Sequence, residues 1–230
     1  MKHLVLLHGW ATDSRIWTAL RTALAGRAKL WSPDLPGWQA DWLWGRLQEL
    51  APAQTVLVGW SLGAMLALAV CARGYRPAAL VLLAGCASFC RRPDYQLGWP
   101  VAVVRGMRQR LRTSSAEVVQ EFYRQLLSPR EEADREKLAA VLPRGQDPAW
   151  LAAGLDYLRR TDLRPQLGQV AAGDIVIIHG SADRITPVAQ AHFLAEQLPA
   201  ARLALLPDAG HALMVSRSQE VANLLAPCLD

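Results

Sequence analysis

The sequence predicts an α/β protein: about six mostly parallel strands with flanking helices and an inserted helical lid. Three observations carry this. Short apolar runs, several of them β-branched, alternate with longer amphipathic stretches, as in βαβ units around a sheet covered on both faces. The alternation stops between about 88 and 170, where helical patterns take over. A strand-like run, TVLV, passes through GWSLG at 59–63 directly into a helical run.

Strands are expected at His3–Leu7, Leu30–Ser32, Thr55–Val58, Leu80–Leu83, Asp174–Ile178 and Arg202–Leu206. Helices are expected at Ser14–Leu24, Gln39–Leu50, Leu62–Arg73, Pro187–Leu198 and Ser216–Leu225, the first capped by Asp13 or Ser14. Val/Ile clusters thin out in the insertion, where helices are expected at Val101–Leu111, Ala116–Leu127, Arg130–Leu142 and Ala149–Arg160. PRGQDP (143–148) reads as a turn. The domain reading is a core of 1–87 and 171–230 with a lid of 88–170, placed over the carboxyl edge of the sheet, where open α/β folds bind ligands.

A chain of 230 residues, 52% hydrophobic and 20% charged, can bury a large core and is not a disordered polymer. Its four cysteines, at 71, 86, 90 and 228, form no CxxC pair; buried thiols in a reducing compartment are expected rather than a zinc site or disulfide framework. Thr55 to Ala72 runs eighteen residues without a charge, long enough to suggest a membrane span. Gly59, Ser61 and Gly63 interrupt it, so a buried strand turning into a buried helix is the better reading. The short apolar run before His8 does not make a signal peptide. A monomer in the cytoplasm, away from membranes, is expected.

The net charge is +5, and its source is local: residues 91–112 hold six arginines against one acid, Asp94. Such a surface attracts anionic partners. No nucleic-acid motif or interleaved aromatic accompanies it, so nucleic acid is not expected.

The chemistry concentrates at GWSLG. A serine on a tight strand-to-helix turn needs small neighbours, which Gly59 and Gly63 supply. The turn lifts the Ser61 hydroxyl off the sheet and sets it at a helix N-terminus, where unpaired amides favour an oxyanion. A serine nucleophile needs a base, and the base an orienting acid. Of the five histidines, His3 opens the first strand, His192 lies mid-helix, His179 ends a strand and His8 sits in HGW as a loop-shaping residue. His211 in LLPDAGHALM follows the last strand, at the same sheet edge as Ser61, and is assigned as base. Asp183, in the loop SADRITP, is assigned as acid. Asp34, Asp162 and Asp208 are its rivals, Asp34 as a loop holder and Asp208 as an outer partner of His211. The oxyanion donors are the amides of Trp10 and Leu62. The Trp10 side chain either lines an acyl pocket or packs under the lobe. The order Ser61, Asp183, His211 is that of the α/β-hydrolases.

From HGW to DAGH the chain resembles α/β-hydrolase enzymes, and within them the BioH-type pimeloyl-[acyl-carrier protein] methyl ester esterases of biotin synthesis. The likeness rests on LVLLHGW (4–10), DLPGW (34–38), GWSLG (59–63), TDLRPQL (161–167), HGSADRITP (179–187) and AGHALMVS (209–216). It implies a serine carboxylesterase that needs no cofactor or metal and cleaves the methyl ester of pimeloyl-acyl-carrier protein. A general short-acyl carboxylesterase is the alternative; a thioesterase, a carbon–carbon hydrolase or a hydrolase-fold binding protein would carry the same motifs. The resemblance implies substrate contacts from Trp10, Ser61, Leu62 and His211 and from Phe122, Tyr123, Arg124, Gln125 and Leu126 of the lobe. It also implies arginines that grip the acidic carrier. Arg135 matches one of these by local pattern, whereas Glu117 and Glu121 stand where others are expected. The basic charge lies instead at Arg105, Arg108, Arg110 and Arg112, with Arg124 and Arg130 nearby, and these seven arginines form the expected docking set. The chain opens directly on the strand leading into HGW, so a six-stranded, all-parallel sheet is expected without a preceding hairpin.

Overall fold

The computed structural model describes all 230 residues. Six strands form one parallel sheet: β1 (His3–Leu7), β2 (Lys29–Trp31), β3 (Thr55–Trp60), β4 (Ala79–Leu83), β5 (Asp174–Gly180) and β6 (Ala201–Leu206), in the spatial order β2-β1-β3-β4-β5-β6. Strands β3 and β4 are buried at every position. Apart from Thr55, whose hydroxyl donates to the Ala51 carbonyl at 2.9 Å, they carry no polar side chain, because helices cover both faces and leave no solvent side for polar residues to alternate onto.

Parallel pairing sends every strand's carboxyl end to one edge. The register sets Leu7 beside Gly59, Trp60 beside Leu83 and Gly180 beside Leu206. The loops after β1, β3, β5 and β6 therefore meet at that edge. The strand order reverses between β1 and β3, which opens a crevice at their carboxyl ends.

The helices around the sheet are α1 (Thr18–Ala23), preceded by a 3₁₀ turn at Ser14–Trp17, α2 (Ala40–Leu47) and α3 (Leu62–Ala72). Asp13 caps the 3₁₀ turn by accepting from the Arg15 amide. The uncharged run Thr55–Ala72 is split between β3 and α3, and no helix is long and apolar enough to cross a membrane. Residues 62–71 of α3 are all buried, so the helix shows no polar face.

Between β4 and β5 no strand joins the sheet. First comes a loop tied by bridges between Cys90 and Trp99 and between Arg92 and Tyr95, in the stretch before Val101 where the sequence placed no helix. Then follow α4 (Val101–Tyr123), a 3₁₀ turn at Pro129–Asp134, α5 (Arg135–Val141), α6 (Pro148–Arg160) and a 3₁₀ turn at Arg164–Gln169. The two expected helices at 101–111 and 116–127 are the halves of α4, joined through a kink at Ser114 (φ −144°, ψ 45°). The expected helix at 130–142 is divided into the 3₁₀ turn and α5. The chain closes with α7 (Val188–Gln197), α8 (Leu213–Ser216) and α9 (Ser218–Leu229). The single helix expected at 216–225 is the front of α9, separated from α8 by Arg217.

A core of 72 buried residues runs from the sheet into the lobe and includes Trp10, Trp17 and Trp60. Each fully buried aliphatic or aromatic side chain contributes roughly 1.5–3 kcal/mol. All four cysteines are buried free thiols; burial pushes the Cys71 thiol up to about 12 and Cys86 higher still, so both stay protonated.

Candidate active site

Ser61 follows β3 as the first residue outside the strand, with φ 56° and ψ −118°. Positive φ is strained for a residue with a side chain. The neighbourhood enforces it: the Ser61 amide donates to the Leu83 carbonyl at 3.0 Å, and the Ser61 carbonyl accepts from Ala64 and Met65. The flanking glycines are required by close approach. A Cβ on Gly59 would lie 2.5 Å from Ala64 Cα, and one on Gly63 would press on the Leu7 carbonyl and lie 2.6 Å from the His8 oxygen. The elbow is thus wedged between α3 and the β1 loop.

Asp183 sits in the loop after β5 and is buried. Its Oδ1 accepts from the amides of Ile185 (2.8 Å) and Thr186 (2.9 Å). Its Oδ2 accepts from His211 Nδ1 at 2.7 Å, with the Thr186 hydroxyl at 2.8 Å. Burial pulls the Asp183 carboxyl upward. The His211 contact outweighs it, helped by His179 and Thr186, and the group stays below its ordinary range and ionised. With Nδ1–H committed to Asp183, His211 Nε2 carries the free lone pair. That nitrogen is buried and has no hydrogen-bond partner in the protein, including Ser61, so the serine–histidine bond is not made in this conformation; such bonds often tighten only with substrate.

The nucleophile and the base are joined instead through their neighbour Trp60. Its indole N–H donates to the His211 carbonyl at 2.9 Å, and the two rings lie 5.2 Å apart. Gly9 closes the other side: a Cβ there would lie 3.0 Å from the Trp60 ring and 3.2 Å from Ser61 Cβ. The HGW loop therefore reaches the nucleophile. Trp10 lies outside any helix or strand, and its amide has no backbone partner. Leu62 opens α3, so its amide is one of the unpaired donors of a helix start.

Two of the other histidines hold loops, while His3 lies in β1 and His192 in α7. His8 Nδ1–H donates to the Gly9 carbonyl at 2.9 Å while Nε2 accepts from the Leu35 amide at 3.0 Å; burial keeps it neutral and lowers its pKa. His179 Nε2–H donates to the Thr186 carbonyl at 2.6 Å and lies 3.4 Å from Asp183 Oδ2. Burial lowers its pKa as well. Asp34 accepts from the Ser14 amide. Asp208, considered as an outer partner of His211, is held through its main chain instead: its backbone carbonyl accepts from the Ser128 hydroxyl and its amide donates to the Ser181 hydroxyl, while the His211 ring meets Asp183 and Thr186. Asp162 pairs with Arg164.

Beside the site lies an apolar cavity of about 280 Å³, lined by Trp10, Phe122, Gln125 and Val118 among others and rimmed by Arg110 and Glu121. Trp10 is both a cavity wall and a lobe anchor: its ring meets Phe122 edge-on at 4.9 Å and its N–H donates to the Leu151 carbonyl at 2.8 Å. Of the lobe segment 122–126, Phe122 and Gln125 face this cavity. Tyr123, Arg124 and Leu126 do not line it. The Tyr123 hydroxyl donates to the Ala11 carbonyl, Leu126 is buried with its carbonyl accepting from the amides of His211 and Ala212, and Arg124 belongs to a different groove.

That groove, about 420 Å³, is lined by Arg124, Arg135 and Arg144 around Leu138 and Leu142, with no acid among its lining residues. The expected docking arginines do not form one stripe. Arg105, Arg108 and Arg112 are spaced to share a helix face, whereas Arg110 points about 140° away from Arg105. Arg108 pairs with Asp156 at 2.6 Å, Arg110 grips Glu121 with two bonds of 2.7 and 2.8 Å, and Arg135 pairs with Glu132. Arg105, Arg112, Arg124 and Arg130 are exposed. Sequence reasoning missed Arg144, whose signal was its place in the turn after α5, and the supporting bonds from Trp60 and Thr186.

Comparison with known proteins places this geometry. The pimeloyl-[acyl-carrier protein] methyl ester esterase of Nitrosomonas europaea is 34% identical over 241 residues, covering 99% of this chain and 94% of that protein. That of Aromatoleum aromaticum is also 34% identical, covering 96% of each. In solved structures, an esterase from Exiguobacterium antarcticum superposes with a TM-score of 0.84 at 18% identity, covering 100% of this chain and 92% of that one. A bromoperoxidase from Bacillus anthracis gives 0.85 at 20%, with 99% and 91% covered. The last two show the shared fold. The alpha/beta hydrolase family model matches residues 4–224, and the chain belongs to the alpha/beta hydrolase family, among the esterases of that group.

Proposed function

We propose that the protein is a serine carboxylesterase that hydrolyses the methyl ester of pimeloyl-acyl-carrier protein, with Ser61, His211 and Asp183 as its triad. The observation that carries the reading is the 2.7 Å bond from His211 Nδ1 to the buried Asp183 carboxylate, which leaves Nε2 unpartnered at the sheet edge that bears Ser61. His211 Nε2 takes the proton of Ser61 as its oxygen attacks the ester carbonyl. The amides of Trp10 and Leu62 receive the oxyanion, a contribution typically worth about 3–4 kcal/mol per donor. Imidazolium then protonates the departing methanol, and Asp183 stabilises its charge without taking the proton. Water, deprotonated by His211, releases the acyl group from Ser61 as the free carboxylate.

In this reading residues 1–87 and 171–230 are the core and 88–170 the lid, and the cavity walled by Trp10 and Phe122 takes the acyl chain. The groove of Arg124, Arg135 and Arg144 supports docking of an acidic carrier beside it. The substrate is that named for the similar enzymes of Nitrosomonas europaea and Aromatoleum aromaticum. Turnover of methyl-pimeloyl-acyl-carrier protein, compared with a short p-nitrophenyl ester, tests the reading. A kcat/KM for the carrier ester well above that for the small ester is expected. Turnover of the small ester alone would leave a general carboxylesterase.

A further inference from the structure

One buried charge lies outside the triad. Glu131 stands in the Pro129–Asp134 turn of the lobe, its side chain 2% exposed. A carboxylate is buried at a cost unless donors surround it, and these donors come from two distant parts of the chain. Oε2 accepts from the Ser128 amide at 2.8 Å and the Gly210 amide at 2.7 Å. Oε1 accepts from the Ser216 hydroxyl at 2.6 Å, and Arg217 Nε lies 3.9 Å away. Gly210 immediately precedes His211.

The neighbouring backbone repeats the attachment. The amides of His211 (2.8 Å) and Ala212 (2.9 Å) both donate to the Leu126 carbonyl, and the Ser128 hydroxyl donates to the Asp208 carbonyl. Three consecutive amides, 210 to 212, are thus held by lobe segment 126–131. The contact is close enough to demand glycine: a Cβ on Gly210 would lie 2.6 Å from the Ser128 nitrogen and 2.9 Å from Glu131 Oε2.

We infer that Glu131 is a positioning residue for His211: its carboxylate fixes the Gly210 amide and so sets the backbone from which the imidazole reaches toward Ser61. This rests on the assignment of His211 as the base. Asp183 fixes the ring at Nδ1, and Glu131 fixes the main chain behind it. A shift of about 1 Å in a catalytic group costs on the order of 10²-fold in rate.

The test compares Glu131→Ala, Glu131→Asp and Glu131→Gln on a short p-nitrophenyl ester, with reactive serines counted by fluorophosphonate titration so that kcat refers to folded sites. Glutamine still offers an oxygen to Gly210 and Ser128, and should stay within about tenfold of the parent. Aspartate keeps the charge but falls one methylene short, so Asp and Ala should lose about 10²-fold in kcat with KM little changed. Where Ala does not fold, the order Gln above Asp decides. Parental kcat per labelled site in Asp or Ala, a Gln variant as slow as Asp, or losses confined to KM or to the number of labelled sites would overturn the inference. Ser61→Ala separates the two claims: undiminished turnover there removes the triad assignment itself, whatever Glu131 does.

Discussion

The indole of Trp60 donates to the main-chain carbonyl of His211 across 2.9 Å. The residue before the nucleophile therefore holds the backbone of the base, and the two halves of the machinery share one buried side chain. Phenylalanine at 60 would keep much of the ring but orphan that carbonyl and leave a small cavity. Trp60→Phe should cost about 2–3 kcal/mol of stability and lower kcat about tenfold more than KM changes. Denaturant melts and steady-state kinetics on a small ester measure both.

Ser61 holds φ at 56° against the preference of a side-chain-bearing residue. Ser61→Ala removes the nucleophile and keeps the strain. Ser61→Gly removes both. The two variants should be equally inactive, yet the glycine form should be more stable than the alanine form by about 1 kcal/mol. Thermal melts of the pair decide it.

His8 and His179 are buried with their pKa values lowered by burial. In the unfolded chain each binds a proton near pH 6.5. Their neutral forms thus add stability that is fully present above that pH and is lost as pH falls below it. Each contributes a slope of up to about 1.4 kcal/mol per pH unit. For His8 a proton on Nε2 would face the Leu35 N–H it now accepts from. Stability measured in denaturant should fall between pH 7 and 5, before the carboxylates titrate. A flat profile there would contradict the buried neutral histidines.

The lobe arginines divide by whether they are already paired. Arg124→Glu with Arg144→Glu should raise KM for the carrier-linked ester tenfold or more, an effect that added salt reduces, while the small ester is unaffected. Reversal of Arg105 and Arg112 should act more weakly, and any effect of changing Arg110 should include loss of its Glu121 pair. Michaelis kinetics on both substrates at two ionic strengths read the difference.

Much of this was legible in the sequence because the parallel sheet writes its strands as continuous apolar runs. All six strands were identified to within two residues at each end, and their common edge followed from parallel pairing. GWSLG was readable because its glycines answer to a steric demand, the Leu7 and His8 carbonyls pressing on position 63. What escaped notice depends on contacts between distant segments. The periodicity of α4 cannot say that Tyr123 turns to the Ala11 carbonyl while Phe122 turns to Trp10. A run of arginines does not reveal that Asp156 and Glu121 neutralise two of them. The S-x-x-E capping box at 128–131 was a local signal for a helical start, but that its glutamate also reaches Gly210 is tertiary.

The most direct measurement is to label the protein with a fluorophosphonate and locate the adduct by peptide mass while following ester hydrolysis. One adduct per chain, on the peptide carrying Ser61, with hydrolysis lost in proportion and labelling slowed at least 10²-fold in His211→Ala, is the predicted result. An adduct on another serine, or hydrolysis that survives complete labelling of Ser61, would contradict the triad.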